Sequence, residues 1–71
     1  MDTKRKFKIT LTVEDGPETV IWTKKVTWEE MDQRFHDEIK AQLIIYNSDH
    51  KRRQLCAYNE VGMKIAQETF H

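Results

Sequence analysis

Cysteine, glycine and proline are all scarce in this chain. Its 71 residues include one cysteine, Cys56, one proline, Pro17, and two glycines, Gly16 and Gly62. A lone cysteine excludes an internal disulfide, and without a second one nearby it fits a reducing, cytoplasmic compartment. So little glycine and proline, with no serine- or glutamine-rich stretch, leaves no place for a linker. One domain spanning residues 1–71 is expected, frayed at residues 1–5 and 71. No apolar run approaches the about 18 residues that cross a membrane. The basic start, Met1 to Lys8, is followed by no apolar segment and does not read as a signal peptide. The formal net charge is zero, which argues against a protein that holds polyanions over its whole surface. No internal repeat is present.

A domain this short buries only about 60% of the surface that its unfolded chain exposes, so its own core leaves it marginally stable. With no disulfide to help, a protein partner or self-association is expected.

What is present reads first as strands. Phe7 to Val13 alternates apolar and polar, the period of a half-buried strand with Phe7, Ile9, Leu11 and Val13 inward and Lys6, Lys8, Thr10 and Thr12 outward. Asp15-Gly16-Pro17 ends it with turn chemistry. A second β-rich run, Thr19 to Val26, follows after a hairpin-length connection. Its register is undecided, because Val20, Trp22 and Val26 suggest one face and Ile21 the other.

Thr27 to Leu43 is the most readable stretch. Thr27 predicts an N-cap, with Glu30 three residues on to complete a capping box and Val26 and Met31 placed to staple the entry. Glu29, Glu30 and Asp32 put negative charge where the helix dipole favours it. Trp28, Met31, Phe35, Ile39 and Leu43 recur at helical spacing and form one stripe. Leu43 to Tyr46 is apolar on consecutive positions, and either continues the helix or starts a third strand; the strand is favoured. Asn47-Ser48-Asp49 is then a turn, and Gln54 to Tyr58 a fourth strand. Asn59 predicts the cap of a terminal helix from Glu60 to Phe70, weakened by Gly62. The expected fold is α+β, a small β-β-α-β-β-α domain with helices on one face of a mainly antiparallel sheet. That element order resembles a β-grasp layout, a likeness of order alone.

No catalytic constellation emerges, and no enzyme is expected. Cys56 lies among Leu55, Ala57 and Tyr58, the setting of a small buried hydrophobe rather than of a reactive thiol. His36, His50, Cys56 and His71 are separated by 14, 6 and 15 residues, unlike paired zinc ligands. No metal and no other cofactor is expected. The neighbouring carboxylates Glu29 and Glu30, and Asp37 and Glu38, point to different sides of a helix.

Charge is unevenly spread. Lys4, Arg5, Lys6 and Lys8 form one basic cluster, and His50-Lys51-Arg52-Arg53 a second; Glu14, Asp15 and Glu18 lie between them. Were the two basic clusters to converge, they would present a surface to phosphates, giving a nucleic-acid-binding regulator as the alternative reading. The leading expectation is a small non-enzymatic binding protein that docks on a protein partner, with homodimerisation as one form. Ile21, Trp22 and Thr23, on a strand apolar on both sides, are the candidate contact residues.

Lys8-Ile9-Thr10, the Gly16-Pro17 turn and Trp22-Thr23 before a charged helix resemble short lambdoid-prophage proteins of unknown function from enteric bacteria. The likeness covers residues 6–35. It implies a phage or prophage accessory protein in the bacterial cytoplasm, with no established catalytic residues to carry over.

Overall fold

The computed structural model describes residues 3–71. Five elements follow in the order β1 (Arg5–Val13), β2 (Thr19–Val26), α1 (Trp28–Asp49), β3 (Arg53–Tyr58) and β4 (Lys64–Phe70). The strands form a single sheet in the order β2-β1-β3-β4, with all three pairings antiparallel. The helix covers one face, chiefly over β1, β3 and β4. The α+β class is as expected, but the second helix is absent and the layout is β-β-α-β-β. With no terminal helix, the β-grasp likeness of element order does not hold. Of the residues 1–5 expected to fray, 1 and 2 lie outside the described residues, and Arg5 pairs with Val26 as the first residue of β1.

The alternation in β1 works as its pattern predicts. Phe7 and Ile9 are buried against α1, joined by Val26, Met31, Phe35, Leu55, Ala57 and Phe70 in one cluster. The undecided register of β2 is resolved by a bulge. Ile9 pairs with Trp22 and Thr10 with Val20, so Ile21 has no partner on β1. An extra residue of this kind turns neighbouring side chains toward the same side. Ile21 and Trp22 accordingly both pack on the core, while Val20 falls on the opposite face and is 50% exposed. The turn after β1 also differs in register. Its centre is Glu14-Asp15, both at positive φ, and Gly16 N–H donates to the Val13 carbonyl at 2.9 Å. Positive φ at both central positions is the type I′ geometry that matches strand twist.

Two expected elements are corrected. Leu43 to Tyr46 is helical, within an α1 of 22 residues. Its β-branched residues suit a strand locally, but no glycine or proline interrupts the helix from Ala41 onward. Continuing the helix places the Tyr46 ring on Phe70, with centroids 5.9 Å apart. Packing thus overrides a weak local preference. The inward stripe becomes Met31, Phe35, Ile39, Gln42 and Tyr46, and Leu43 lies on its flank at 43% exposure. The second correction concerns Glu60 to Phe70. Asn59 caps no helix. Its Oδ1 accepts from the backbone of Val61 and Met63, and Gly62 sits at φ +84 in a tight turn. Beyond that turn Lys64–Phe70 pairs with β3, which satisfies one side of the backbone of both strands.

Candidate functional site

The face of the sheet away from α1 carries the side chains that alternate with the core. From β1 come Lys6, Lys8, Thr10 and Thr12; from β3 Gln54, Cys56 and Tyr58; from β4 Lys64, Gln67 and Thr69. Pairing with Lys6 places Lys25 of β2 here as well, and pairing with Lys8 places Thr23.

Glu18, in the β1–β2 connection, reaches over this face. Its Oε2 accepts from the Thr10 hydroxyl at 2.7 Å and from the Tyr58 hydroxyl at 2.6 Å. The Tyr58 bond, then the Thr10 bond, hold the Glu18 carboxyl below its ordinary range. The same carboxylate pushes the Tyr58 hydroxyl up to about 12, because losing the proton would end the bond and set two anions together. The Lys8 ammonium lies 5.0 Å from the centre of the Tyr58 ring, a cation–π contact. Beneath this group, Thr10 and Cys56 are paired across the strands and both are buried. Cys56 is thus a small buried residue, on the face opposite the helix.

The two basic clusters do not converge. Arg5 opens β1, whereas Arg53 pairs with Val13 at its far end, so the nine residues of β1 separate them by about 26 Å. Each arginine is engaged. Arg5 pairs with Glu60 at 2.9 Å, and Arg52 pairs with Asp15. Arg53 is buried and grips both Asp49 carboxylate oxygens, at 2.7 and 2.8 Å, while also donating to the Lys51 carbonyl. The Arg53 bonds hold the Asp49 carboxyl far below its ordinary value, and Asp49 in turn raises Arg53. These contacts fasten the exit of α1 to β3. Lys4 and Lys51 are exposed and Lys8 is half-buried.

Of the expected protein-contact residues, Ile21 and Trp22 are half-buried at the β2 edge and Thr23 is exposed, its hydroxyl donating to the Phe7 carbonyl at 2.9 Å. The largest exposed apolar stretch is elsewhere. Leu43, Ile44 and Ile45 are 43%, 72% and 44% exposed on consecutive positions near the end of α1. They lie between the half-buried Gln42 and Tyr46, the latter packed on Phe70, and so face away from the sheet. Sequence reading missed this patch because the same residues looked like a strand; their consecutive apolar character was the signal. Lys25 and Lys64 were missed because only the register shows which face they share with Lys8.

His36 contacts the Asp32 carbonyl through Nδ1 at 2.8 Å, and His50 is the C-cap of α1. Among the described residues, no three His, Cys, Asp or Glu side chains are placed to hold a metal ion. No helix among them is long and apolar enough to cross a membrane. No family model, no curated protein and no solved structure matches the chain.

Proposed function

We propose that this chain is a small, non-enzymatic binding protein that docks on a protein partner through the outward side of the last turns of α1. The observation that carries this reading is the exposure of Leu43, Ile44 and Ile45 together. Branched apolar residues all round a helix turn are the mark of a helix that is covered on every side, and the chain's own sheet covers only one. Three adjacent apolar side chains make a contiguous patch rather than scattered exposure. A helix presented this way fits an apolar groove on another protein, or the same patch on a second copy. The half-buried Ile21 and Trp22 with Thr23 lie on β2, an edge strand, and form a secondary contact. The likeness of residues 6–35 to lambdoid-prophage proteins favours an accessory role in the bacterial cytoplasm.

The reading is tested with wild type and Ile44→Asp, both checked for unchanged helical content by circular dichroism. Light scattering over a concentration series reads self-association. Capture from nuclease-treated bacterial lysate, followed by binding of the purified captured protein, reads a separate partner. Either association should be lost in Ile44→Asp. Retention of all binding by the variant, or a strictly monomeric wild type that binds no protein, rejects it.

A further inference from the structure

A second surface lies on the opposite side of the molecule, and it stands whether or not the helix end docks a protein. Lys6 and Lys25 are direct cross-strand partners, on the face left open by the helix. Like charges directly opposite one another destabilise a sheet. Lys8 follows two residues along the same face of β1, about 6.6 Å from Lys6 at the ordinary strand rise. Tyr58 pairs with Lys8, and Lys64 with Tyr58. Four lysines and one aromatic ring therefore share this face at one end of the sheet, with Lys8 and Lys64 as cross-strand neighbours of the ring. Lysines often guard edge strands against aggregation, which serves for Lys25 and Lys64. It does not account for Lys8, which is paired with Thr23 of β2 on one side and Tyr58 of β3 on the other.

The neighbouring acids offset this charge only in part. Glu60 pairs with Arg5, while Glu18, bonded to the hydroxyls of Thr10 and Tyr58, keeps its negative charge and attracts Lys8 and Lys64 without forming an ion pair with either. Among the described residues none of the four lysines has an ion-pair partner; Lys64 donates only to the Gln67 amide oxygen. Lys6 and Lys8 also line a shallow groove, walled by Val20 and Thr23 on one side and by Asn59, Glu60 and Gly62 on the other.

We propose that this end of the open sheet face, the groove and the Tyr58 ring beside it, binds single-stranded nucleic acid, with Lys6, Lys8, Lys25 and Lys64 on successive phosphates and the ring as a platform for one base. Charge complementarity selects a polyanion, and the ring selects one with bases to stack, since every base offers a π-face whatever its sequence. The ring is already fixed at its hydroxyl by Glu18. The ammonium of Lys8, now near its face, is the group that a base would displace toward the backbone. One aromatic ring among lysines on a single flat face has nothing to follow a second strand, so a duplex is not the expected ligand.

Fluorescence anisotropy with labelled single-stranded DNA and RNA oligonucleotides of mixed sequence tests this. Binding is expected in the range of about 10⁻⁴ to 10⁻⁶ M near physiological salt, weakening as salt rises by roughly 0.7 log units per phosphate contact for each log unit of salt. The variant Lys6→Gln/Lys25→Gln should bind at least tenfold more weakly with a shallower salt slope. It should also melt at a higher temperature, because the opposed charges are gone. Tyr58→Leu should lose about fivefold or more and Tyr58→Phe should retain binding, as stacking requires. Lys51→Gln/Arg52→Gln, at the far end of the sheet, should stay within twofold of wild type. No binding at low salt overturns the proposal, as does equal loss in the far-end variant. So does displacement by polyglutamate as effective as by oligonucleotide, which would mark an acidic-peptide surface instead.

Discussion

The two halves of α1 follow different rules although they form one unbroken helix. In the first half, Met31 and Phe35 are 1% and 5% exposed, and Thr27 and Glu30 close the entry. In the second, inward positions are filled by Ile39, Gln42 and Tyr46, none fully buried, while Leu43, Ile44 and Ile45 look outward. The second half is the richer in apolar residues, with Ile39, Ala41, Leu43, Ile44, Ile45 and Tyr46 against Trp28, Met31 and Phe35 in the first. What separates them is how the apolar residues recur: at helical spacing in the first half, on consecutive positions in the second. Apolar content alone therefore does not say where a core is. Its periodicity does, and where periodicity gives way to a consecutive run the surplus is available for contact.

The sharpest way to break this comparison is to truncate one residue in each half. Phe35→Ala should cost about 3–5 kcal/mol, the usual range for a buried phenylalanine. A single core in so short a chain supplies no more than about 3–5 kcal/mol in all, so the variant should be largely unfolded at 25 °C. Ile44→Ala should change stability by less than about 0.5 kcal/mol, as surface changes do. Urea melts followed by circular dichroism measure both. A loss of more than 1 kcal/mol for Ile44→Ala would mean that the second half is part of the core after all.

A smaller difference concerns how the second half is tied down. Its fastening is ionic, through Asp49 and the buried Arg53. The Asp49 carboxyl is held well below its ordinary value, chiefly by the Arg53 hydrogen bonds. A depressed carboxyl contributes stability that is complete above its unfolded pKa and is lost as pH falls through the folded one. Urea midpoints of wild type and Asp49→Asn should therefore differ by a constant amount from pH 7 to about 5 and converge toward pH 2. A gap that persists unchanged at pH 2 would show that the ion pair is not what fastens the helix.

The same contrast explains how far the sequence could be read. The half with a regular stripe and a cap signal was legible: Thr27 is the N-cap, and Val26, Met31 and Phe35 are in the core. Even there the capping box is only half formed. Glu30 N–H donates to the Thr27 oxygen at 3.3 Å, but the Glu30 carboxylate takes the Thr27 hydroxyl proton rather than its backbone N–H. The illegible parts were those decided by long-range partners. Leu43–Tyr46 could be placed only by knowing that Phe70 waits for Tyr46, and Lys64–Phe70 only by knowing that β3 needs a neighbour. Asn59 and Gly62 carry turn chemistry as readily as cap chemistry, and the turn prevailed because two strands flank it. The lysine face needed strand register, since Lys6 and Lys25 are nineteen positions apart in the chain and adjacent in the sheet.

The finest test compares the two ends of the helix by their caps. Thr27 has extended backbone geometry and a side chain that accepts from the first turn, so each of its properties suits the N-cap. Thr27→Ala should cost about 1 kcal/mol, read as a fall of about 4–8 °C in melting temperature. At the other end His50 occupies the left-handed region at φ 57, and its N–H donates to the Tyr46 carbonyl at 2.7 Å. Glycine is the residue that this position favours, because a Cβ there costs of the order of 1 kcal/mol. Replacing His50 also removes its edge-on contact with Tyr46, 6.1 Å between ring centres, which offsets part of the gain. His50→Gly should thus be stabilised by a few tenths of a kcal/mol, a rise of roughly 1–3 °C. If instead it destabilises, the edge-on contact of the imidazole with Tyr46 outweighs the backbone strain, and the end of the helix is held by its aromatic contacts as well as by Asp49.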